Sequence, residues 1–186
     1  MSSVTAIPIA SLLLGFVPVL LLIVIMRAWG LNALQAMYAN IRMLVQLLLI
    51  GYVLTYIFET NEPVLVVLVV IFMIAMSSWI ALRPLIDRGI KPYSIVVIAI
   101  GVSGLGVLLL VTQIILELPR WYEPRFVVPL AGMVFANSMN TISLAGERFY
   151  AERERGEDYL SARRTAMEAA MIPQVNALLA VGLVSL

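Results

Sequence analysis

The run "VLVVLVVIFMIAMSSWIAL", residues 64–82, decides the fold. It contains no Lys, Arg, Asp or Glu. A helix of about 20 such residues, rising 1.5 Å each, crosses the hydrocarbon core of a bilayer. Pro63 stands before the run and Arg83-Pro84 after it, so both ends are punctuated. A helix apolar on every face belongs in lipid or at the centre of a large core, and this chain has too little polar surface for the second.

Four further runs are long enough to span: Ile7–Met26, Met43–Phe58, Ser94–Leu116 and Phe126–Ala145. Arg42 extends the second, its charge snorkelling to the interface. A sixth run opens near Asn176 and is cut off at the last residue, Leu186. Between spans lie "ETNEP", "RPLIDRGIKPY" and "ELPRWYEPRF", rich in Pro or charge. The expected fold is all-α, a polytopic transmembrane helical bundle of five full spans plus a partial sixth. The start, "MSSVTAIPIASLLLGF", has no basic n-region and no small-residue cleavage site, so it reads as a retained span.

Composition agrees. Of 186 residues, 62% are hydrophobic and only 12% charged, and the mean hydropathy is +1.03. A soluble domain carries about 25% charged residues. The net charge of +1 supplies no basic field for nucleic acid. Cys and His are both absent, which excludes disulfides, thiolate chemistry and a tight zinc site. No set of metal ligands is singled out.

Orientation follows from Lys and Arg. One set of loops holds Arg27 and Arg42, then Arg83, Arg88 and Lys91, then Arg148, Arg153, Arg155, Arg163 and Arg164. These are ten of the twelve basic residues; Arg120 and Arg125 lie on the other side with Glu59, Glu62, Glu117 and Glu123. The ten-residue side is expected to be cytoplasmic and the N-terminus outside.

Polar residues within the spans are the candidate pathway. Asn137, Asn140 and Thr141 stand three and four apart on one helical face, and Gln46 lies a turn from Arg42. An unpaired amide in hydrocarbon costs several kcal/mol, so these groups face protein or a wet cavity. They either line a path for a polar or ionic substrate or hydrogen-bond neighbouring helices; the two roles are compatible. Gly132 and Ala136, and the stretch "AIGVSGLGVLLL" with Ala99, Ser103 and three glycines, read as close-packing faces. The ten methionines read as packing rather than soft-metal ligands.

The segment "GERFYAERERGEDYLSARRTAMEAA", residues 146–170, is the most charged part of the chain. Its charges nearly cancel, and Gly156 divides it into two helix-prone pieces. In the second piece Leu160, Met167, Ala170 and Met171 form an intermittent apolar stripe, with Glu157 and Asp158 at the N-terminal end. It is either a solvated helix or one that docks into a cytoplasmic partner. The whole chain, 1–186, reads as a single transmembrane permease domain with a cytoplasmic segment over 146–172, joined through Pro173 to the next run.

Two sets of residues resemble known families. Glu168-Ala169-Ala170, with Val184 and Leu186 at the expected spacing, is similar to the EAA loop of ABC importer permeases; Gln174 stands where that loop has glycine. More broadly, "ANIRMLVQLLLIGYVLTYIF" (39–58), "VVPLAGMVFANSMNTISLAGERFYAE" (127–152) and "ARRTAMEAAMIPQVNALLAVGLVSL" (162–186) resemble the FetB-type family. These are permease subunits of a bacterial iron-export ABC system, related to plant aluminium-tolerance permeases. In that family a Pro-Gly-Met-Met-Thr-Gly segment and further helices follow, so the chain is expected to lack the C-terminal helices. The resemblance implies an inner-membrane subunit moving a metal cation, with iron export implied. It also implies a permease homodimer, powered by a separate cytoplasmic ATPase that holds the ATP. The chain itself would carry no cofactor and have no enzymatic activity; no G-x-x-x-x-G-K-[ST] occurs in it. The candidate ATPase-coupling residues are Arg153, Arg155, Glu157, Arg163, Arg164 and Glu168. Two other roles stay open: an ATPase-independent carrier, and an assembly or regulatory membrane subunit.

Overall fold

The structure, a computed structural model, describes residues 14–59 and 62–181. The chain divides into two units, Met1–Tyr56 and Ile57–Leu186. All described elements are helical, and four are long and apolar enough to cross a membrane: Ala33–Tyr52, Pro63–Ala81, Ile90–Ile115 and Pro124–Glu154.

The first unit holds α1 (Val17–Ala28) and all but the last three residues of α2 (Ala33–Glu59). The first expected span begins at Ile7, and its residues 7–13 lie outside the described residues. Gly30, at φ +70°, turns the chain between the helices, where a side chain would strain the backbone. Asn32 then caps α2, its Oδ1 accepting the Gln35 N–H at 3.1 Å. The helix thus starts ten residues before the apolar run at Met43. The intervening "ALQAMYANIR" is polar enough to escape a hydropathy reading, but most of it is good helix former. Arg42 therefore sits inside a helix rather than in a loop with Arg27.

The second unit holds α3 (Pro63–Ala81), α4 (Ile90–Leu109), α5 (Pro124–Glu154) and α6 (Tyr159–Val181). A π-helical turn, Leu110–Ile115, extends α4. Pro63 and Pro124 open their helices, where the missing N–H costs nothing. The core rows are Val66, Val70 and Ile74 of α3, Val96, Ile100, Gly104 and Leu108 of α4, and Val127, Ala131 and Phe135 of α5. Each row recurs at three- or four-residue spacing, one stripe per helix. Lipid is as apolar as this core, so close packing and interhelical hydrogen bonds hold it together. Gly104 lets α5 approach: a Cβ there would lie 2.6 Å from the Phe135 ring. Hydrogen bonds tie α3 to its neighbours, from Ser143 Oγ of α5 to the Ala81 carbonyl (2.9 Å) and from Tyr93 Oη of α4 to the Ala75 carbonyl (3.2 Å). Gly132 lies near Met73, but Ala136 is exposed, so only half of that small pair packs within this unit.

Charge is segregated along the unit. Leu85, in the connection between α3 and α4, packs on Gly146 of α5 so closely that a Cβ there would lie 2.5 Å from it. That contact puts Arg83, Arg88 and Lys91 at the same end as Arg148, Arg153, Arg155, Arg163 and Arg164. Trp121 and Val127 share a cleft with Val66 near the start of α3, so Arg120 and Arg125 lie at the other end.

The helix α5 is longer than the apolar run that announced it. Its 31 residues extend about 46 Å against a hydrocarbon core of about 30 Å. Its last turns therefore stand clear of the lipid. Gly156, at φ +91°, reverses the chain, and Asp158 caps α6. The Asp158 Oδ2 accepts the N–H groups of Leu160 (3.0 Å) and Ser161 (3.4 Å). Asp158→Ala is expected to cost about 1 kcal/mol of stability, as capping losses do. Graded denaturation of the purified chain would measure it, and an unchanged midpoint would show that the cap contributes nothing.

The face that α6 turns to α5 is Ala162, Ala166 and Ala170, each at most 3% exposed. Leu160, Met167 and Met171 of the expected apolar stripe are instead outward-facing. Small side chains let the two backbones approach, which large ones would prevent. Pro173 does not end the helix; α6 runs through it to Val181. Lacking an N–H, Pro173 leaves the Ala169 carbonyl without its usual helical donor.

Candidate functional site

Two features of the second unit have the chemistry that the sequence pointed to. The first is a polar groove of about 390 Å³ where α4, α5 and α6 meet. Ser103, Asn137, Ser138, Thr141 and Gln174 supply its polar lining. Gln174 Nε2 donates to Thr141 Oγ1 at 2.9 Å, and Thr141 Oγ1 donates to the Asn137 carbonyl at 2.9 Å. The Ser103 hydroxyl turns back to the Ala99 carbonyl of its own helix at 2.6 Å. At 1.5 Å per residue Thr141 lies about 26 Å along α5 from Pro124. The groove is therefore near the end of the span that carries the basic residues.

Of the expected pathway residues, the structure brings Asn137 and Thr141 to this groove. Asn140 is exposed and outside its lining. Gln46 is exposed on α2, in the first unit. Gln174, which the sequence marks only as a departure from a glycine position, joins Asn137 and Thr141 in the groove. The signal was present, because Gln174 is the next member of the four-residue series Ala162, Ala166, Ala170.

The second feature is the hairpin of α5 and α6 beyond the lipid. Glu152 is 7% exposed and receives two guanidinium groups, Arg148 at 2.6 Å and Arg155 at 3.1 Å. Arg153 Nη1 donates to the Glu157 carbonyl at 2.8 Å across the turn. The Glu157 carboxylate accepts the Ser161 hydroxyl at 3.0 Å. Phe149 and Tyr159 meet edge to face, ring centroids 5.6 Å apart, tying one helix to the other. The ion pairs brace the end of α5, and the aromatic pair joins it to α6. Arg163, Arg164 and Glu168 stay exposed, the last two paired at 2.9 Å with side chains 83% and 65% exposed. Such a pair contributes little to stability and leaves its charges available to a partner. Tyr159, Arg163 and Met167 also line a shallow groove of about 350 Å³ with Leu85 and Phe149.

The sequence that builds these spans is similar to those of known proteins. Residues 9–163 match the model of the Uncharacterised protein family (UPF0014). The chain belongs to that family. A UPF0014 membrane protein of Synechocystis is 31% identical over 180 residues, covering 88% of this chain and 70% of that protein. The "Probable iron export permease protein FetB" of Escherichia coli is 30% identical over 163 residues, covering 78% and 60%. The UPF0014 membrane protein YjkA of Bacillus subtilis is 35% identical over 166 residues, covering 80% and 64%. The chain thus spans 60–70% of the length of these relatives. No solved structure matches it. The resemblance to the FetB-type family holds, and this UPF0014 member is a multi-pass membrane protein.

Proposed function

We propose that the chain is a permease component of an ABC-type transporter that moves a metal cation, with iron export as its activity. In this reading both units belong to one permease domain in the cytoplasmic membrane. A separate ATPase binds the ATP and grips the exposed face of the α5–α6 hairpin. The observation that carries the proposal is the hairpin itself: a charged extension of α5, braced by ion pairs, at the basic end of the bundle, in a chain 30% identical to a probable iron export permease. Motion of an attached ATPase needs a stiff lever to reach the spans, and α5 runs without a break from the hairpin past Thr141 to Pro124. The polar groove offers neutral oxygen ligands to a hard cation, which suits passage and release better than tight retention.

The test is co-purification of the tagged chain with a cytoplasmic ABC ATPase in mild detergent, with hydrolysis followed with and without added metal. Metal-sensitive hydrolysis in a stable complex supports the proposal. Ion-gradient-driven metal flux in liposomes lacking any ATPase would replace it with a carrier.

The accompanying topology puts the N-terminus outside, with five full spans and the sixth run re-entering the membrane. The chain has no cysteine, so single introduced thiols report cleanly. Arg120→Cys is expected to react with a membrane-impermeant maleimide on intact cells, and Glu154→Cys only after permeabilisation. The reverse pattern would invert the orientation.

A further inference from the structure

A cavity at the basic end of α3 and α4 belongs to neither feature above. It has a volume of about 350 Å³ and is lined by Trp79, Leu82, Arg83, Arg88, Gly89, Ile90 and Tyr93. From its geometry we infer that it is a binding site for the phosphate headgroup of an anionic phospholipid in the cytoplasmic leaflet.

Charge comes first. Arg83 and Arg88 both contribute to the cavity, and among the described residues neither forms an ion pair. Arg88 Nε donates to the Leu85 carbonyl at 2.9 Å, which fixes the side chain while its two Nη groups stay available. The nearest acidic residue in sequence, Asp87, is engaged locally, its Oδ1 accepting the Gly89 N–H at 3.1 Å. The connection from Leu82 to Lys91 thus carries three positive charges against one negative. Guanidinium forks match phosphate oxygens, and α4 begins at Ile90 beside them, adding the positive end of its dipole.

Depth and shape select a lipid. The cavity joins the last turn of one membrane-crossing helix to the first turn of the next, which is headgroup level. Trp79 and Tyr93, residue types that prefer that level, form its membrane-side wall. Ile90, 87% exposed, gives an apolar surface where glycerol and acyl carbons would lie, with buried Leu82 behind it. A soluble anion would make no use of these walls. Basic pockets between spans on the cytoplasmic side are suited to anionic headgroups, each arginine adding roughly a fivefold preference.

The experiment uses the full chain with Trp29→Phe and Trp121→Phe, so that Trp79 is the remaining tryptophan. It is reconstituted in phosphatidylcholine vesicles carrying either brominated phosphatidylglycerol or brominated phosphatidylcholine at equal content. Stronger quenching of Trp79 by the brominated phosphatidylglycerol is expected. Arg83→Gln with Arg88→Gln should reduce that preference by an order of magnitude or more while quenching by brominated phosphatidylcholine stays unchanged, which shows that the helix still inserts. Equal quenching by the two lipids in the parent chain would overturn the inference, as would a preference that survives both substitutions. Inorganic phosphate is the competitor: a preference it leaves intact supports the lipid, and one it abolishes assigns the site to a soluble anion and overturns the lipid assignment.

Discussion

Gly104→Leu is expected to destabilise the bundle by about 1–3 kcal/mol, the usual cost of forcing extra atoms into a packed interior. Even the first added carbon would stand 2.6 and 2.9 Å from two ring atoms of Phe135, closer than real Cβ contacts come. Phe135 is 1% exposed and cannot swing into free space without displacing its neighbours in α3 and α4. Relief should come from the other side of the contact. Combining Gly104→Ala with Phe135→Leu is expected to cost less than the two single changes added together, because the smaller side chain vacates the space that the methyl needs. In water Phe135→Leu would also lose hydrophobic transfer energy, but a bilayer is as apolar as the core, so only packing is lost. Denaturant-resolved unfolding of the four proteins in detergent reads the coupling. Strict additivity would mean that α4 and α5 do not meet at these residues.

The same contact shows what the sequence disclosed. Glycines in the fourth apolar run announced close packing, but not which glycine or against what. Gly104 is buried, whereas nothing lies within 4 Å of a Cβ built on Gly106. The spans themselves were legible because hydrophobicity is summed over twenty residues: residues 64–82 became Pro63–Ala81, and 94–116 became Ile90–Ile115. Helix ends were less so. Hydropathy reports where lipid stops, while hydrogen bonding decides where a helix stops, so α5 continues nine residues past Ala145. Gly156 and Asp158 did mark the hairpin, since a left-handed turn and a cap are local events. The groove was half legible. Asn137 and Thr141 share a helical face by spacing alone, but Gln174 reaches Thr141 only because three alanines bring α6 close to α5. That is tertiary information.

The largest functional effect should come from residues that barely touch the fold. Replacing Arg163, Arg164 and Glu168 together by alanine is expected to leave the unfolding midpoint nearly unchanged. All three are exposed, and an exposed i,i+4 pair such as Arg164 with Glu168 is worth about 0–1 kcal/mol. If the proposed ATPase grips this face, its capture should by contrast fall about 100-fold, the sum of two interface contacts worth about 1.4 kcal/mol each. Arginine is favoured at such contacts because its planar fork loses little entropy per hydrogen bond formed. Glu152→Gln separates gripping from leverage. It keeps the outer charges but releases Arg148 and Arg155 from the carboxylate that holds them at 2.6 and 3.1 Å. On the proposed function the ATPase should still bind, while stimulation of its hydrolysis by metal falls, because force is then applied to an end of α5 that the ion pairs no longer brace. If the triple variant captured the ATPase as well as the parent does, the partner would have to be held elsewhere, and α6 would be a packing helix whose charges serve only solubility.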